Sequence, residues 1–418
     1  MPDQIIDQHG NATNPQAFSY KLNQLLRRES KFSGTIYFAW ASSSGSDESH
    51  LITMYDLIII GGGPAGTSAA ITAPRESAKV LLLERGLFPR HKVCGEFVSA
   101  ESLDLLYSLL GPNDKASLEN AIRISKTRVF LDGRTIETSV SPSGASIARF
   151  DLDAALWESA RIQGIDSRQR ITVHEVRGTG PFRVVTSNGD FESQAVINAS
   201  GRWSNLTATG AQEAGLSRKW LGLKGHFSEP SPHHSVDLYF FDGGYCGVQP
   251  VRVDYSSEGG NRINACAMVR ADVASTLKDV FRRQPQLEER SRGWEQISEP
   301  VSTSPLLFRT PTPVRDGIFM AGDAAVFVDP FVGDGISMAL RSGALAAQAL
   351  IPFFRKEVSL QNAARSYQKA YHQRLAPVFK ASSIIRRMLE LPRVVRVPMI
   401  YVFRKSPRLS RYLVAQTR

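Results

Sequence analysis

Three cysteines in 418 residues, Cys94, Cys246 and Cys266, are too few and too unevenly spaced for a disulfide framework or a zinc site, so reduced thiols are expected and no metal is. No uninterrupted apolar run reaches the roughly 18 residues that span a bilayer, and the N-terminus lacks the charged-then-apolar layout of a secretory signal. A cytoplasmic protein is the expectation. Acidic residues are scarce at one end: from 351 to 418 fifteen Lys and Arg stand against two Glu, a net +13, which leaves −3 for everything before it out of the overall +10. Such a region, with apolar and basic residues mixed from Leu391 to Tyr412, either lies on an anionic membrane surface as a peripheral contact or is a solvated helical face. No nucleic-acid-binding motif accompanies the charge, which argues against that class of partner. Residues 1–53 lack lasting periodicity apart from Gly34 to Trp40, a candidate strand, and read as a disordered or mis-started extension with the fold beginning near Met54.

What is present is a strong local signal. In YDLIIIGGGPAG, Tyr55 to Gly66, an apolar run meets glycines at 61, 63 and 66, the G-x-G-x-x-G spacing of a dinucleotide-binding βαβ turn. Gly61 permits the sharp turn, Gly63 removes a Cβ so that backbone can approach a pyrophosphate, and Gly66 lets helix pack on strand. The expected helix runs from Ala65 to about Ala73, opening after Pro64, with its unpaired N–H groups facing the phosphates. A second strand, Lys79 to Glu84, ends in a carboxylate 23 residues after Gly61, placed to accept hydrogen bonds from an adenosine ribose; Arg85 follows it.

At 42% hydrophobic, the chain is long enough for two connected domains. After Glu84, the stretch from Arg85 to Leu106 holds Pro89 and Cys94-Gly95-Glu96 before a helix capped at Ser99, and is the part most like an active-site loop. Residues 126–140 read as a hairpin around Asp132-Gly133, and Asp151 to Gln163 as an amphipathic helix. Two short strands flank Asn188-Gly189, and Ala195 to Ala199 runs into Ser200-Gly201-Arg202. Alternating strands then follow at Val236–Phe241, Tyr245–Val251 and Ile263–Val269, indicating an antiparallel substrate-facing sheet over 206–305. The chain returns with a strand, Ile318 to Ala321, that delivers Asp323, and a helix opening near Asp334 or Gly335. The expected organisation is a dinucleotide-binding Rossmann-like α/β domain, 54–205 plus 306–350, with the inserted antiparallel-sheet domain 206–305 (and hairpin 126–140) and a basic helical region 351–418.

With these motifs in place the chain resembles flavoproteins of the p-hydroxybenzoate hydroxylase fold, and more closely their geranylgeranyl reductase-like branch, over about Tyr55 to Gly343. The resemblance implies that Gly61, Gly63, Pro64, Ala65, Gly66, Glu84 and Arg85 hold the ADP half of FAD. It implies that Gly322-Asp323 meets the ribityl and pyrophosphate side, and that the segment around Pro330, Gly333, Asp334, Gly335 and Ile336 aims a helix N-terminus at the flavin pyrimidine. A helix terminus favours the negative charge of a reduced flavin by roughly 0.3–1 kcal/mol or more. Related hydroxylases carry Asp-Gly where this chain has Ser200-Gly201, so NAD(P)H is expected as donor on weaker grounds. Tyr245 to Pro250 (YCGVQP) is similar to the reductase branch's Y-x-W-x-F-P, with Gly247 and Gln249 in place of the rings.

The resemblance also puts Cys94-Gly95 near the isoalloxazine. With Arg90, His91 and Lys92 close in sequence, a lowered thiol pKa would make Cys94 a proton donor or flavin-polarising group, against the alternative of a small inert buried thiol. Glu96 is either a general acid or base or a helix cap. Arg149 resembles the superfamily's flavin-contacting arginine, or forms a surface ion pair. His226 and Tyr245 are candidate catalytic residues facing the pocket; the ordinary alternatives are a structural histidine and sheet packing. The expected activity is FAD-dependent monooxygenation of a hydrophobic or aromatic small molecule by a monomer or dimer. Hydride transfer to isoprenoid double bonds is the alternative, and a flavin-free, prenyl-protein-escort-like binder the second. Halogenation is disfavoured because W-x-W-x-I-P is absent.

Overall fold

The computed structural model describes residues 53–389, except 75–77, 203–205, 207–218, 253–260, 305, 307–309 and 328–332, together with 5–6, 12–13, 391 and 394. By contacts the chain divides into two units, Met1–Leu51 and Ile52–Arg418. In the first, Ile5–Ile6 pairs antiparallel with Ala12–Thr13. The expected strand at Gly34 to Trp40 lies outside the described residues, as does nearly all of the amphipathic stretch Leu391 to Tyr412.

Within the second unit, β1 (Thr53–Ile60) is the buried apolar strand, its Leu57, Ile58 and Ile59 wholly sealed from solvent. Each such side chain contributes about 1.5–3 kcal/mol of burial. It runs into α1 (Pro64–Thr72), and on either side lie β2 (Val80–Leu83) and, further along the chain, a long strand, Gly189–Asn198, both parallel to it. The strand Ile318–Met320 extends the sheet in parallel beyond Gly189–Asn198. Register brings the carboxyl ends of four strands level: Ile60 lies opposite Leu83 on one side and Asn198 on the other, and Asn198 opposite Met320. The turns that follow, at Gly61, Glu84, Ala199–Gly201 and Ala321–Asp323, are therefore gathered along one edge, where open α/β sheets bind ligands.

The second sheet begins with β3 (Phe97–Val98), β4 (Ile122–Leu131) and β5 (Arg134–Ser146). Asp132 (φ 52°) and Gly133 (φ 75°) make the β4–β5 turn, as the Asp-Gly pair predicts, but the hairpin is longer than 126–140. The α2 helix (Arg149–Ile162) follows, then the strand Gly189–Asn198 takes the label β6. The remaining strands of the second sheet are β7 (Trp220–Ser228), β8 (Ser235–Phe241), β9 (Gly244–Pro250) and β10 (Arg262–Arg270), antiparallel to their neighbours except that β8 runs parallel to β4. That pairing joins the 122–146 strands to the strands of 206–305 in one sheet.

Alternation decides what this sheet's two faces do. Cys246, Val248, Ala265, Ala267 and Phe227 point to a face covered by the short helices Leu277–Phe281 and Pro285–Ser291. Paired residues project together from a sheet, so Lys224 with Cys266 and Gly247, and His226 with Asn264 and Gln249, occupy the opposite face. The chain returns through β11 (Ile318–Met320) to α3 (Gly335–Phe354), which packs on α1, with Ser68 Oγ donating to the Leu340 carbonyl at 2.8 Å. α3 has the length and hydropathy of a membrane span, yet 61% of its apolar window is buried inside the fold, as in a core helix.

Candidate active site

A cavity of about 540 Å³ runs along the gathered strand ends and under the loop that follows β2. Gly61, Gly63, Pro64 and Ala65 form its wall at the start of α1, Glu84 and Arg85 at the end of β2, and Cys94, Gly95, Glu96 and Arg149 beneath the loop. Gly201, Gly322 and Asp323 line it from the other turns, with Gly333, Gly335 and Ile336 at the start of α3. The structure thus brings together most of the residues singled out in the sequence, from seven separate segments. Gly66 and Asp334 sit one layer behind the wall, and Pro330 lies outside the described residues.

The local geometry fits a dinucleotide. Gly61 has φ 105°, and a Cβ there would lie 2.4 Å from the Ala199 carbonyl oxygen; a Cβ on Gly66 would lie 1.7 Å from the Gly61 oxygen. Gly63 differs, since a Cβ on it would project into open space with Arg149 Nη2 3.9 Å away. Gly63 is also the N-cap of α1, with no side-chain cap and no acidic residue in the first turn, so the helix N-terminus is left to serve an anion. These are the cradle and the donors that an FAD pyrophosphate requires, and the Gly61–Ala65 backbone would hold it.

Glu84 stands where expected but is already engaged. Its Oε2 accepts from the Gly62 amide at 2.8 Å and its Oε1 from the Gly86 amide at 2.8 Å, while Arg90 forks onto both oxygens at 2.9 and 3.1 Å. Burial opposes ionisation, yet Arg90 and the two amides outweigh it and hold the carboxyl below its usual range. On the far side, Arg202 Nε lies 4.0 Å from Asp323 Oδ2 and its guanidinium 4.2 Å above the Phe327 ring, so the Ser200-Gly201-Arg202 turn sets a cation beside the Gly322-Asp323 carboxylate.

The loop beneath is organised by Glu96, fully buried in a left-handed conformation, φ 63°. That backbone is unfavourable for a side-chain-bearing residue and is held by what the side chain grips. Oε1 accepts from Lys224 Nζ and from the Arg149 amide at 2.8 Å, and Oε2 accepts from His226 Nε2 at 2.8 Å. The Glu96 amide in turn points at Cys94 Sγ, 3.3 Å away, and Asn264 Nδ2 holds the Cys94 carbonyl at 3.0 Å. Burial would raise the Glu96 carboxyl, but Lys224 and His226 bring it down to about 2. A carboxyl held that low carries no proton near neutrality, so Glu96 is an anchor for two cationic or hydrogen-bonding groups rather than an acid. It is not a helix cap either; Ser99 is the residue at the start of the helix Ala100–Leu109, and its hydroxyl bonds Ser337 on α3 at 2.9 Å.

The expectation for the Cys94 thiol is corrected. Burial pushes it up from its ordinary value, against the pull of Arg149 and the Glu96 amide, so the resting group is the thiol. The sequence neighbours do not act on it as expected: Arg90 is committed to Glu84, the His91 ring lies 4.8 Å from Phe150 and 5.5 Å from His226, and Lys92 is itself pushed down to about 8 by burial and by Arg90 and Arg149. The cation that acts on it most strongly is Arg149, which is no surface pair: it forks onto buried Asp153 at 2.6 and 2.6 Å.

His226 is on the cavity-facing side of β7 but behind Glu96, not in the wall. Tyr245 is buried with Met268 and Leu306, in an apolar cluster that Leu238, Phe240 and Phe327 adjoin. Only Phe327 of that group reaches the cavity. Lys224, Arg90 and Asn264 were missed as site residues. For Lys224 a signal was present, since Lys224 and His226 are two apart on one strand and share a face. Among the described residues no group of three His, Cys, Asp or Glu is arranged to hold a metal.

Residues 56–89 match the sequence model of the family described as FAD dependent oxidoreductase. The chain is 25% identical over 369 residues to digeranylgeranylglycerophospholipid reductase 2 of Methanopyrus kandleri, covering 80% of this chain and 87% of that one. Its fold is similar to that of the flavin-dependent brominase Bmp2, with TM-score 0.70, 19% identity and 87% and 93% of the two chains covered. It is also similar to pqsL, a probable FAD-dependent monooxygenase from Pseudomonas aeruginosa, with TM-score 0.65, 16% identity and 83% and 100% covered.

Proposed function

We propose that the chain, which is similar in sequence and fold to FAD-dependent oxidoreductases, reduces a carbon–carbon double bond or quinone of a hydrophobic small molecule, with Cys94 as the proton source. The observation that carries this reading is the place of Cys94 in the cavity wall, with the Glu96 amide 3.3 Å from its sulfur and burial favouring the thiol form. When bound, FAD supplies the two-electron redox chemistry as hydride. Addition of hydride to a double bond leaves a carbanion or enolate that requires one proton. Cys94 gives that proton from Sγ, and the thiolate left behind is received by the Glu96 amide and the Arg149 guanidinium. Glu96 keeps the amide in place, and Asn264 fixes the carbonyl of Cys94. The fork of Arg149 onto Asp153 keeps its guanidinium from turning away.

The relatives' breadth supports weighing a second chemistry, monooxygenation, which the sequence favoured. The feature on its side is Gly247, which stands where the reductase-branch motif carries a ring; a Cβ there would meet Leu238 Cδ2 at 3.5 Å and the Cys266 carbonyl oxygen at 3.7 Å. A thiol in the cavity wall that can give a proton favours reduction. The same proposal takes NAD(P)H as electron donor, the sheet strands of 206–305 as the substrate-bearing part, and the basic region 351–418 as a peripheral membrane contact.

The test is direct. Purified protein should be yellow or take up FAD. With FAD reduced by NADPH or dithionite without oxygen and an isoprenoid and quinone library, a product heavier by two hydrogens supports reduction. A product heavier by one oxygen, formed only in air, selects monooxygenation, and a colourless protein that cannot be reconstituted selects the flavin-free binder. Cys94→Ala should slow single-turnover reduction by about 10²-fold or more; an unchanged rate removes the thiol from the mechanism.

A further inference from the structure

Against the cavity wall sits a buried charged constellation. Lys224, Glu96 and His226 are buried at 1%, 0% and 1% side-chain exposure, and of the three only Glu96 lines the cavity. Burying an ion pair is costly, and a hydrophobic pair of the same size would hold the loop as well or better. An expensive arrangement next to a functional thiol therefore calls for an electrostatic reason.

The geometry connects the pair to sulfur by a short route. Glu96 is two residues from Cys94, and its own amide donates to Sγ. Lys224 reaches the same carboxylate from β7. On β10, Asn264 and Cys266 stand opposite His226 and Lys224, and Asn264 bonds the Cys94 carbonyl. From α2, Arg149 faces the thiol with Asp153 behind it, and from the loop itself His91 and Lys92 complete the charged and titratable surroundings.

We propose that Lys224 and Glu96 are positioning residues whose opposed charges tune the protonation state of Cys94: the Glu96 carboxylate adds to burial in keeping the sulfur a thiol, and Lys224 opposes it. This rests on the reading of Cys94 as proton donor, but it makes a claim about the thiol alone. With the carboxylate present, the negative charge beside sulfur discourages a second one; with it removed, buried Lys224 is left to stabilise thiolate. With Lys224 removed, Glu96 acts on sulfur unopposed. The two deletions thus move Cys94 in opposite directions, which a purely structural pair would not do, since either deletion would loosen the same loop.

The experiment is alkylation of the full-length protein by iodoacetamide across pH 6 to 10, with and without FAD, followed at the Cys94 peptide by mass spectrometry so that Cys246 and Cys266 do not interfere. In the wild type the alkylation midpoint should lie above the ordinary thiol value of about 8.5. Glu96→Gln should lower the midpoint by about one pH unit or more, and Lys224→Met should raise it by a similar amount. The double variant Glu96→Gln/Lys224→Met removes both charges and should return to within about half a unit of wild type; where one single variant does not fold, the double variant read against the other single gives the missing charge's effect. Shifts of the same sign, no shift, or a displaced double variant would overturn the proposal. If the thiol behaves as described while Cys94→Ala leaves turnover unchanged, the charge-setting stands and the proton-donor reading fails.

Discussion

Lys224 donates from a β-strand to Glu96 on a loop 128 residues earlier, and neither side chain meets solvent beyond 1%. Removing one partner of such a pair leaves the other buried and uncompensated, so Lys224→Met should lower unfolding free energy by about 3–5 kcal/mol at pH 7. The pH dependence has a definite sign. The Glu96 carboxyl is depressed to about 2 in the folded chain from an ordinary 4.5, so its stabilisation is present above about pH 4.5 and is lost as pH falls toward 2. Urea midpoints at pH 7 and pH 3 check this: the gap between wild type and variant should narrow at the lower pH, and an equal gap at both would remove the pair from acid stability.

The opposite sign applies to Asp334, the N-cap of α3. Burial pushes its carboxyl up to about 6, against the lesser pull of Ser99, Ser337 and Arg341, and neither oxygen has a hydrogen bond of ordinary length. The folded chain therefore holds this proton more tightly than the unfolded one, and stability falls as pH rises from about 4 through about 6. Asp334→Asn, which keeps the side chain's shape and removes its charge, should stabilise the flavin-free protein at pH 7 by about 2–3 kcal/mol and by little at pH 3.5. Thermal unfolding at the two pH values measures it.

What could be read beforehand was whatever depends on neighbours in sequence. The glycine turn, the Asp132-Gly133 hairpin and the strand feeding Asp323 are local devices: a backbone angle or a missing Cβ is demanded at one position and only certain residues supply it. Charge partners are not local in that sense. Arg90 stands beside Cys94 in sequence, yet its guanidinium folds back on Glu84, because the buried carboxylate at the end of β2 offers a better partner than a neutral thiol. The parallel contact of β8 with β4 was equally hidden, since alternation marks a strand without naming the strand beside it. Site membership was thus legible where the backbone makes the site. It failed where side chains from distant strands complete it, as at Lys224 and Asn264.

Two glycines of one motif separate folding from cofactor binding. A Cβ on Gly66 would meet the Gly61 carbonyl oxygen at 1.7 Å, backbone against backbone in the strand–helix crossing, so Gly66→Ala must push α1 away from β1 and should destabilise the whole domain by several kcal/mol, on the order of other overpacked cores. A Cβ on Gly63 has only Arg149 Nη2 nearby, at 3.9 Å, and the position carries no left-handed φ, so Gly63→Ala should leave the flavin-free urea midpoint within about 0.5 kcal/mol of wild type. What the added methyl occupies is the space next to the free N-terminus of α1, where a pyrophosphate must come close to backbone. FAD affinity, followed by quenching of flavin fluorescence, should therefore fall at least about tenfold in Gly63→Ala, roughly the 1.4 kcal/mol that one lost close approach represents. If Gly63→Ala binds FAD as tightly as wild type, the dinucleotide does not lie across the start of α1, and the cradle would have to be sought elsewhere in the cavity.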